Sequence, residues 1–172
     1  MMNRISLLCL GILGLTFLNC GVTEDPLECP PQFTGELQAT ETKLVGEWSL
    51  IDLVSDTEVD LTNDFTDNPS VDMFSQYADC SKDAVFIFGE NRVYSYENGS
   101  RTEGCNGTSN SGTWRLDSDE LFLIISCGSL NSQLSFNESN TRFEYSNTVE
   151  IQEVNGVVTT AAVTYTYEKV EP

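Results

Sequence analysis

Phe143-Glu144-Tyr145-Ser146-Asn147-Thr148-Val149-Glu150-Ile151 alternates strictly between two kinds of side chain. Successive residues of a β-strand point to opposite faces, so Phe143, Tyr145, Asn147, Val149 and Ile151 share one face and Glu144, Ser146, Thr148 and Glu150 the other. One face is nearly apolar and one polar, the pattern of a strand half buried against a core. Val154-Asn155-Gly156-Val157 follows, and Asn-Gly is the strongest short hairpin signal because both residues tolerate positive φ. The returning strand sets Val157, Thr159, Ala161, Val163, Tyr165 and Tyr167 on one face. A hairpin over 141–170 is predicted.

The same pattern repeats upstream. Ala84 to Phe88, the turn Gly89-Glu90-Asn91 and Arg92 to Tyr96 make a second hairpin, closed by Asn98-Gly99. Gly112 to Leu116, the polar turn Asp117 to Glu120 and Leu121 to Cys127 make a third. Leu44 to Val54 reads as a long first strand and Leu130 to Phe136 as a weaker one. Most connections among these eight strands are too short for a parallel crossover. The expected fold is therefore all-β, an antiparallel up-and-down eight-stranded barrel, since closure removes edges that invite aggregation. Residues 55–83 form the one long connection. There Asn68-Pro69 reads as a helix cap and first helical residue, with Val71, Phe74 and Ala78 at helical spacing, so one short helix is expected.

The N-terminus carries a different signal. Arg4 is followed by an apolar run from Ile5 to Leu18, too short to span a bilayer as an anchor but of the length of a secretory signal. Phe17-Leu18-Asn19-Cys20-Gly21 resembles the lipobox of bacterial lipoproteins, which implies cleavage before Cys20 and acylation of that residue, with Asn19 departing from the small residue usual there. Ordinary signal-peptidase cleavage is the alternative. The expected divisions are a signal peptide over 1–19, an acylated Cys20 and acidic flexible tether over 20–42, and a barrel over 43–172. Glu24-Asp25 behind Cys20 resembles the acidic signal that sends some lipoproteins to the outer face of the outer membrane. An outer-membrane lipoprotein of the bacterial envelope is expected, attached to the membrane through its lipid.

With Cys9 in the signal and Cys20 acylated, Cys29, Cys80, Cys105 and Cys127 remain. Four cysteines in an exported chain imply two disulfides with three connectivities. A hairpin would bring Cys80 and Cys105 to the same end, which favours that pair and leaves Cys29 with Cys127.

Composition narrows the function. The chain has 8 Lys+Arg, 27 Asp+Glu and no His, a formal charge of −19. That field repels nucleic acid and anionic membranes, and the absence of imidazole excludes Ser-His and Cys-His nucleophiles and His-ligated metals. Nine acids and no base lie between Leu44 and Ser81, but Asp60 to Asp67 do not fit a calcium loop and lack its closing Glu. No metal, cofactor or enzymatic activity is expected, and a monomer is.

Leu44-Val45-Gly46-Glu47-Trp48 looks like the Gly-x-Trp opening of lipocalins. Then come Cys80-Ser81-Lys82-Asp83 leading into Val85-Phe86-Ile87-Phe88, Gly112-Thr113-Trp114-Arg115-Leu116, and a tyrosine-rich last strand. Together, over roughly 43–170, these resemble the lipocalin-like domain of bacterial exported lipoproteins. The resemblance implies a small barrel with Trp48 closing one end and a small apolar or amphipathic ligand in the cup. Thr164-Tyr165-Thr166 stands where lipocalins proper have Thr-Asp-Tyr, and Lys169 where an Arg would stack on the first Trp. The candidate ligand-binding residues are Tyr145, Asn147, Tyr165 and Tyr167, with Trp48 and Trp114 as cup lining or structural plugs. A filled barrel that docks a protein or glycan is the competing expectation, and interior side-chain volume decides between them.

Overall fold

The computed structural model describes residues 28–171, so the signal, Cys20 and the start of the tether lie outside the described residues. Strand β1 (Gly46–Val59) buries Trp48, Leu50, Leu53 and Val59. After it come β2 (Ser70–Asp72), α1 (Met73–Gln76), α2 (Asp79–Lys82), β3 (Val85–Phe88), β4 (Val93–Asn98) and β5 (Thr108–Asp117). The chain ends with β6 (Glu120–Ile125), β7 (Gly128–Gln133), β8 (Ser135–Phe136), β9 (Arg142–Gln152) and β10 (Val158–Lys169). Every pairing is antiparallel. The order β7-β6-β5-β4-β3-β1-β10-β9-β8 is a meander whose first and last strands lie side by side, curling the sheet into a nearly closed barrel.

All eight expected strands are present, with local differences. The weak strand is split by Leu134 into β7 and β8, and β2 adds a short pairing against β1. The expected helix begins later than Asn68-Pro69, because Ser70 to Asp72 are drawn into extended pairing and the Asp72 carboxylate then caps the Ser75 N–H at 2.8 Å. It is followed by a second single-turn helix, α2. Val71 is consequently exposed, and Met73 takes the buried place. In the β9–β10 turn only Gly156 adopts positive φ (85°), while Glu153 and Gly156 close a turn at 2.9 Å. Asn155 does not take positive φ there, and the loop is longer than the two residues Asn-Gly predicts.

Of the tether expected over 20–42, residues 28–41 are described and are held against the barrel. Residues 28–41 form a strap along the outside of the barrel, fastened first by the Cys29–Cys127 disulfide (Cα–Cα 4.4 Å). Phe33 donates its N–H to Thr113 Oγ1 at 3.0 Å, and the Arg115 guanidinium lies between the rings of Phe33 and Phe122. The second disulfide, Cys80–Cys105, joins α2 to the loop after β4, as the sequence spacing favours.

At its far end the strap inserts a carboxylate. Glu41 and Arg92 are 1% and 5% exposed and form a two-pronged pair, Nη1 donating to Oε1 at 2.8 Å and Nη2 to Oε2 at 2.7 Å. Glu41 also accepts the N–H groups of Gln38 (2.6 Å) and Leu116 (3.2 Å), while Arg92 donates to Gly35 O and Glu36 O. Beneath them the core is aromatic, with Trp48, Trp114, Phe88, Phe143 and Tyr167 all fully buried. Both indoles are satisfied internally, Trp48 Nε1 donating to Leu44 O (2.7 Å) and Trp114 Nε1 to Gly89 O (3.1 Å). Lys169, in place of an arginine, sets its ammonium 5.2 Å from the Trp48 ring.

Burial works against the Glu41 charge, but the Arg92 guanidinium and the two N–H donors outweigh it and hold the carboxyl below its ordinary value. Because the folded carboxyl ionises at lower pH than the unfolded one, its stabilisation is present above about pH 4.3 and is lost as pH falls through the folded value. Glu41→Ala, which strands a buried guanidinium, is expected to lower unfolding free energy by about 3–5 kcal/mol. Urea denaturation at neutral pH measures the loss, and an unchanged midpoint would show that the pair is not structural.

Candidate functional site

The two strands of the β9–β10 hairpin present their inner faces in register, with Phe143 opposite Tyr167 and Tyr145 opposite Tyr165. Cross-strand neighbours of this kind approach within contact of their rings. Tyr145 and Tyr165 stack at 4.9 Å with planes 6° apart, Phe143 and Tyr167 at 5.2 Å and 15°, and Tyr145 and Tyr167 at 6.1 Å and 13°. Four near-parallel rings thus form a ladder. Burial falls along it: Phe143 and Tyr167 are in the core, Tyr145 and Tyr165 are half-buried, and Asn147 is exposed although it shares the inward face.

The exposure has a topological cause. Strand β8 meets β9 only at Ser135–Glu144 and Phe136–Phe143, so beyond Tyr145 the free side of β9 has no strand partner among the described residues. The outer side of β7 is likewise unpaired. The sheet stays open along this seam. Beside the ladder, Phe74 of α1 and Tyr165 pack against both the aromatic core and a second buried cluster of Leu53, Val59, Met73, Ile151, Ala161 and Val163, which half-buried Tyr77 and Val149 also join. Tyr96, from the inner face of β4, stacks 4.7 Å from Phe86, and its phenol neighbours that of Tyr167.

Burial raises the pKa of every tyrosine in this group. For Tyr167 the neighbouring phenols add to the effect, and for Tyr145 the Tyr165 phenol adds to it while a hydrogen bond with Tyr167 opposes it. All therefore stay neutral at physiological pH, each hydroxyl able to donate and accept. The surface offered is flat and apolar with a rim of uncharged hydroxyls, suited to an amphipathic or ring-bearing molecule. Among the described residues the four cysteines are in disulfides, and the chain has no His.

The candidate residues separate accordingly. Tyr145, Tyr165 and Tyr167 come together, Asn147 stands at the lip, and Trp48 and Trp114 are walled into the core. Tyr77, Tyr96 and Phe74 lie beside them without having been candidates for the site, Phe74 having been read only as part of a helix face. For Tyr96 the signal was present in the alternation of Tyr94 and Tyr96, whereas nothing local brings Tyr77 beside Tyr165. Surface depressions among the described residues include one of about 490 Å³ beside Lys169 and Val170 and one of about 410 Å³ beside Leu37 and Val45, and neither has a ladder tyrosine or Trp in its wall. Among the described residues no three Cys, Asp or Glu side chains converge as metal ligands.

The model of a family described as Domain of unknown function (DUF5004) matches residues 23–169, and the chain belongs to that family. The match spans the strap as well as the barrel. No curated protein and no solved structure matches the chain.

All six tyrosines of the chain have raised pKa values. The stabilisation from keeping them neutral is present below the unfolded value, about 10, and is lost as pH rises through the folded values. Tyrosinate absorbance should thus be nearly absent in the native protein at about pH 10 and appear together with loss of the near-ultraviolet dichroism of the buried aromatics. Tyrosinate forming well before that dichroism is lost would mean that the ladder is solvated.

Proposed function

We propose that this DUF5004 member is a lipid-anchored binding protein of the bacterial envelope, related in kind to lipocalin-like lipoproteins. On this reading it takes a small amphipathic ligand at the tyrosine-lined opening, not deep in the barrel. The carrying observation is the ladder of Tyr145 and Tyr165, stacked, half-buried and neutral at an unpaired seam. Binding fits the chemistry better than catalysis, since the site offers ring faces and hydroxyls with no base beside them. The lipid anchor rests on the apolar run before Cys20, and a charge of −19 keeps the chain soluble beside the membrane and away from nucleic acid.

A second reading, a filled barrel that docks a protein or glycan, is favoured by the closed end. There Trp48, Trp114, Phe88 and Phe143 occupy the space a deep cup would need.

Neutral N-phenyl-1-naphthylamine, titrated into the chain from Gly21 onward, separates the two. Saturable enhancement of its emission is expected, with Tyr165→Ala weakening it about tenfold, the equivalent of about 1.4 kcal/mol and within reach of a lost aromatic pair plus its buried area. Asn147→Leu should change probe preference more than stability. Binding that never saturates would give precedence to the docking module. Separately, Cys20→Ala is expected to release the protein from the membrane fraction, and recovery there at the wild-type level would overturn the anchor.

A further inference from the structure

Strand β9 pairs with β10 along its whole length in unbroken register, from Arg142 opposite Glu168 to Gln152 opposite Val158. Its other side carries β8 only at Phe143 and Glu144, so from Tyr145 to Gln152 it is an open strand edge among the described residues. Two hydrogen bonds fix the direction of the backbone groups there. Lys169 N donates to Thr141 O at 2.8 Å and Asn137 N to Arg142 O at 3.1 Å, so odd-numbered residues turn toward β10 and even-numbered ones away from it. Ala162, opposite Thr148, fits this parity, since its N–H points away from β9 and donates to Asp56 Oδ1 of β1 at 2.9 Å. Ser146, Thr148, Glu150 and Gln152 thus hold their N–H and C=O groups outward, and all four residues are exposed.

Folded proteins guard such edges with a lysine, a proline, a bulge or an inward-pointing charge. This edge has none of them. The register with β10 is free of bulges, the inward side chains are Tyr145, Asn147, Val149 and Ile151, and no Lys, Arg or Pro occurs from Phe143 to Glu168. Across the seam, β7 lies in a stretch from Leu116 to Thr141 that also lacks a basic residue. The field along the seam is therefore of one sign, with Glu144 and Glu150 on the outward face of β9 itself.

We propose that the open edge of β9 receives an extended basic segment of another protein, which adds to the sheet as a strand. Main-chain bonds to Ser146, Thr148 and Glu150 hold the segment in place. Its side chains alternate between the inner face, beside Tyr145 and Val149, and the outer face, beside Glu144 and Glu150. Apolar residues suit the first set and Lys or Arg the second, because opposite charges across a strand pair attract and like charges repel. The same rule selects against a second copy of this chain: two molecules of charge −19 repel, and from Glu144 onward β9 presents no cation to its twin. The inference goes beyond the small-ligand reading and does not rest on it, since the ladder offers ring faces and this edge offers main-chain groups.

The probe is the peptide acetyl-Lys-Val-Lys-Val-Lys-Val-Lys-amide, added to the chain from Gly21 onward and followed by amide hydrogen exchange. The amides of Ser146, Thr148 and Glu150 are expected to slow by at least about tenfold, while those of Tyr145, Asn147 and Val149, already bonded to β10, change little. The same peptide with Glu in place of every Lys should bind at least about tenfold more weakly. Thr148→Pro removes one outward donor without touching the β10 ladder and should weaken the Lys peptide by at least about tenfold, with near-ultraviolet dichroism showing that the fold is kept. Glu150→Lys leaves the backbone unaltered and should narrow the preference between the two peptides. No binding at about 1 mM peptide, equal binding of both peptides, unchanged binding by Thr148→Pro, an unchanged preference in Glu150→Lys, or slowing confined to β7 overturns the proposal. Slow exchange of the three amides before any peptide is added also overturns it, the edge then being covered by the chain's own N-terminal segment if the sedimenting mass is that of one chain and by a second copy if it is twice that.

Discussion

The pairing of Arg92 with Glu41 is the constraint on which the closed end of the molecule depends. A guanidinium removed from water must keep its donors engaged, and Arg92 does so on the Glu41 carboxylate and on carbonyls of Gly35, Glu36 and Trp114. Glu41 in turn accepts N–H groups from Gln38 in the strap and Leu116 in β5. One ion pair therefore satisfies backbone groups on both sides of the junction. Its contribution is to register more than to net stability, since a well-packed apolar pair of the same volume would avoid the desolvation cost. No apolar pair would fix the strap at residue 41 against residue 92.

With the strap locked at one end by charge and at the other by Cys29–Cys127, the two ends of the barrel acquire different characters. At the locked end large aromatics interdigitate, each indole has a carbonyl partner, and Lys169 covers Trp48. Toward the other end β8 leaves β9 after two residues, the sheet stays open along the seam, and a smaller cluster of Leu53, Val59, Met73, Ile151, Ala161 and Val163 fills the interior. The ladder from Phe143 to Tyr165 crosses from one regime to the other. This graded burial sets tyrosines of one hairpin face in the core at one rung and leaves them half-buried at the next.

Polar positions follow the same logic. Asn147 would be costly inside a closed barrel, and it is tolerated because the seam leaves it in water. The acids of the long β1–β3 connection are solvated or used locally, Asp60 accepting from Thr62 and Asp72 capping α1, while Asp83 receives the N–H groups of Gly99, Arg101 and Thr102. Their abundance shapes the field of the protein without gathering into a site.

Much of the fold was legible because strand alternation is a local property: each of the eight apolar–polar segments became a strand, and Cys80 met Cys105 as hairpin geometry favours, which left Cys29 for Cys127. The alternation of Phe143, Tyr145, Asn147 and Tyr165 also announced the candidate site. What the sequence could not reveal depends on partners far along the chain. Residues 28–41 have the composition of a tether and became a strap because Arg92, about 50 residues away, needs Glu41. Asn68-Pro69 is a sound helix start by local rules, and pairing of Ser70 to Asp72 with β1 displaced it. Whether Trp48, Trp114 and Tyr167 line a cup or fill a core was decided by volume summed over many strands, and whether Asn147 is buried by the early departure of β8. Period-2 patterning specifies which face of a strand points inward, but how much space lies behind that face is set only when all the strands have closed on one another.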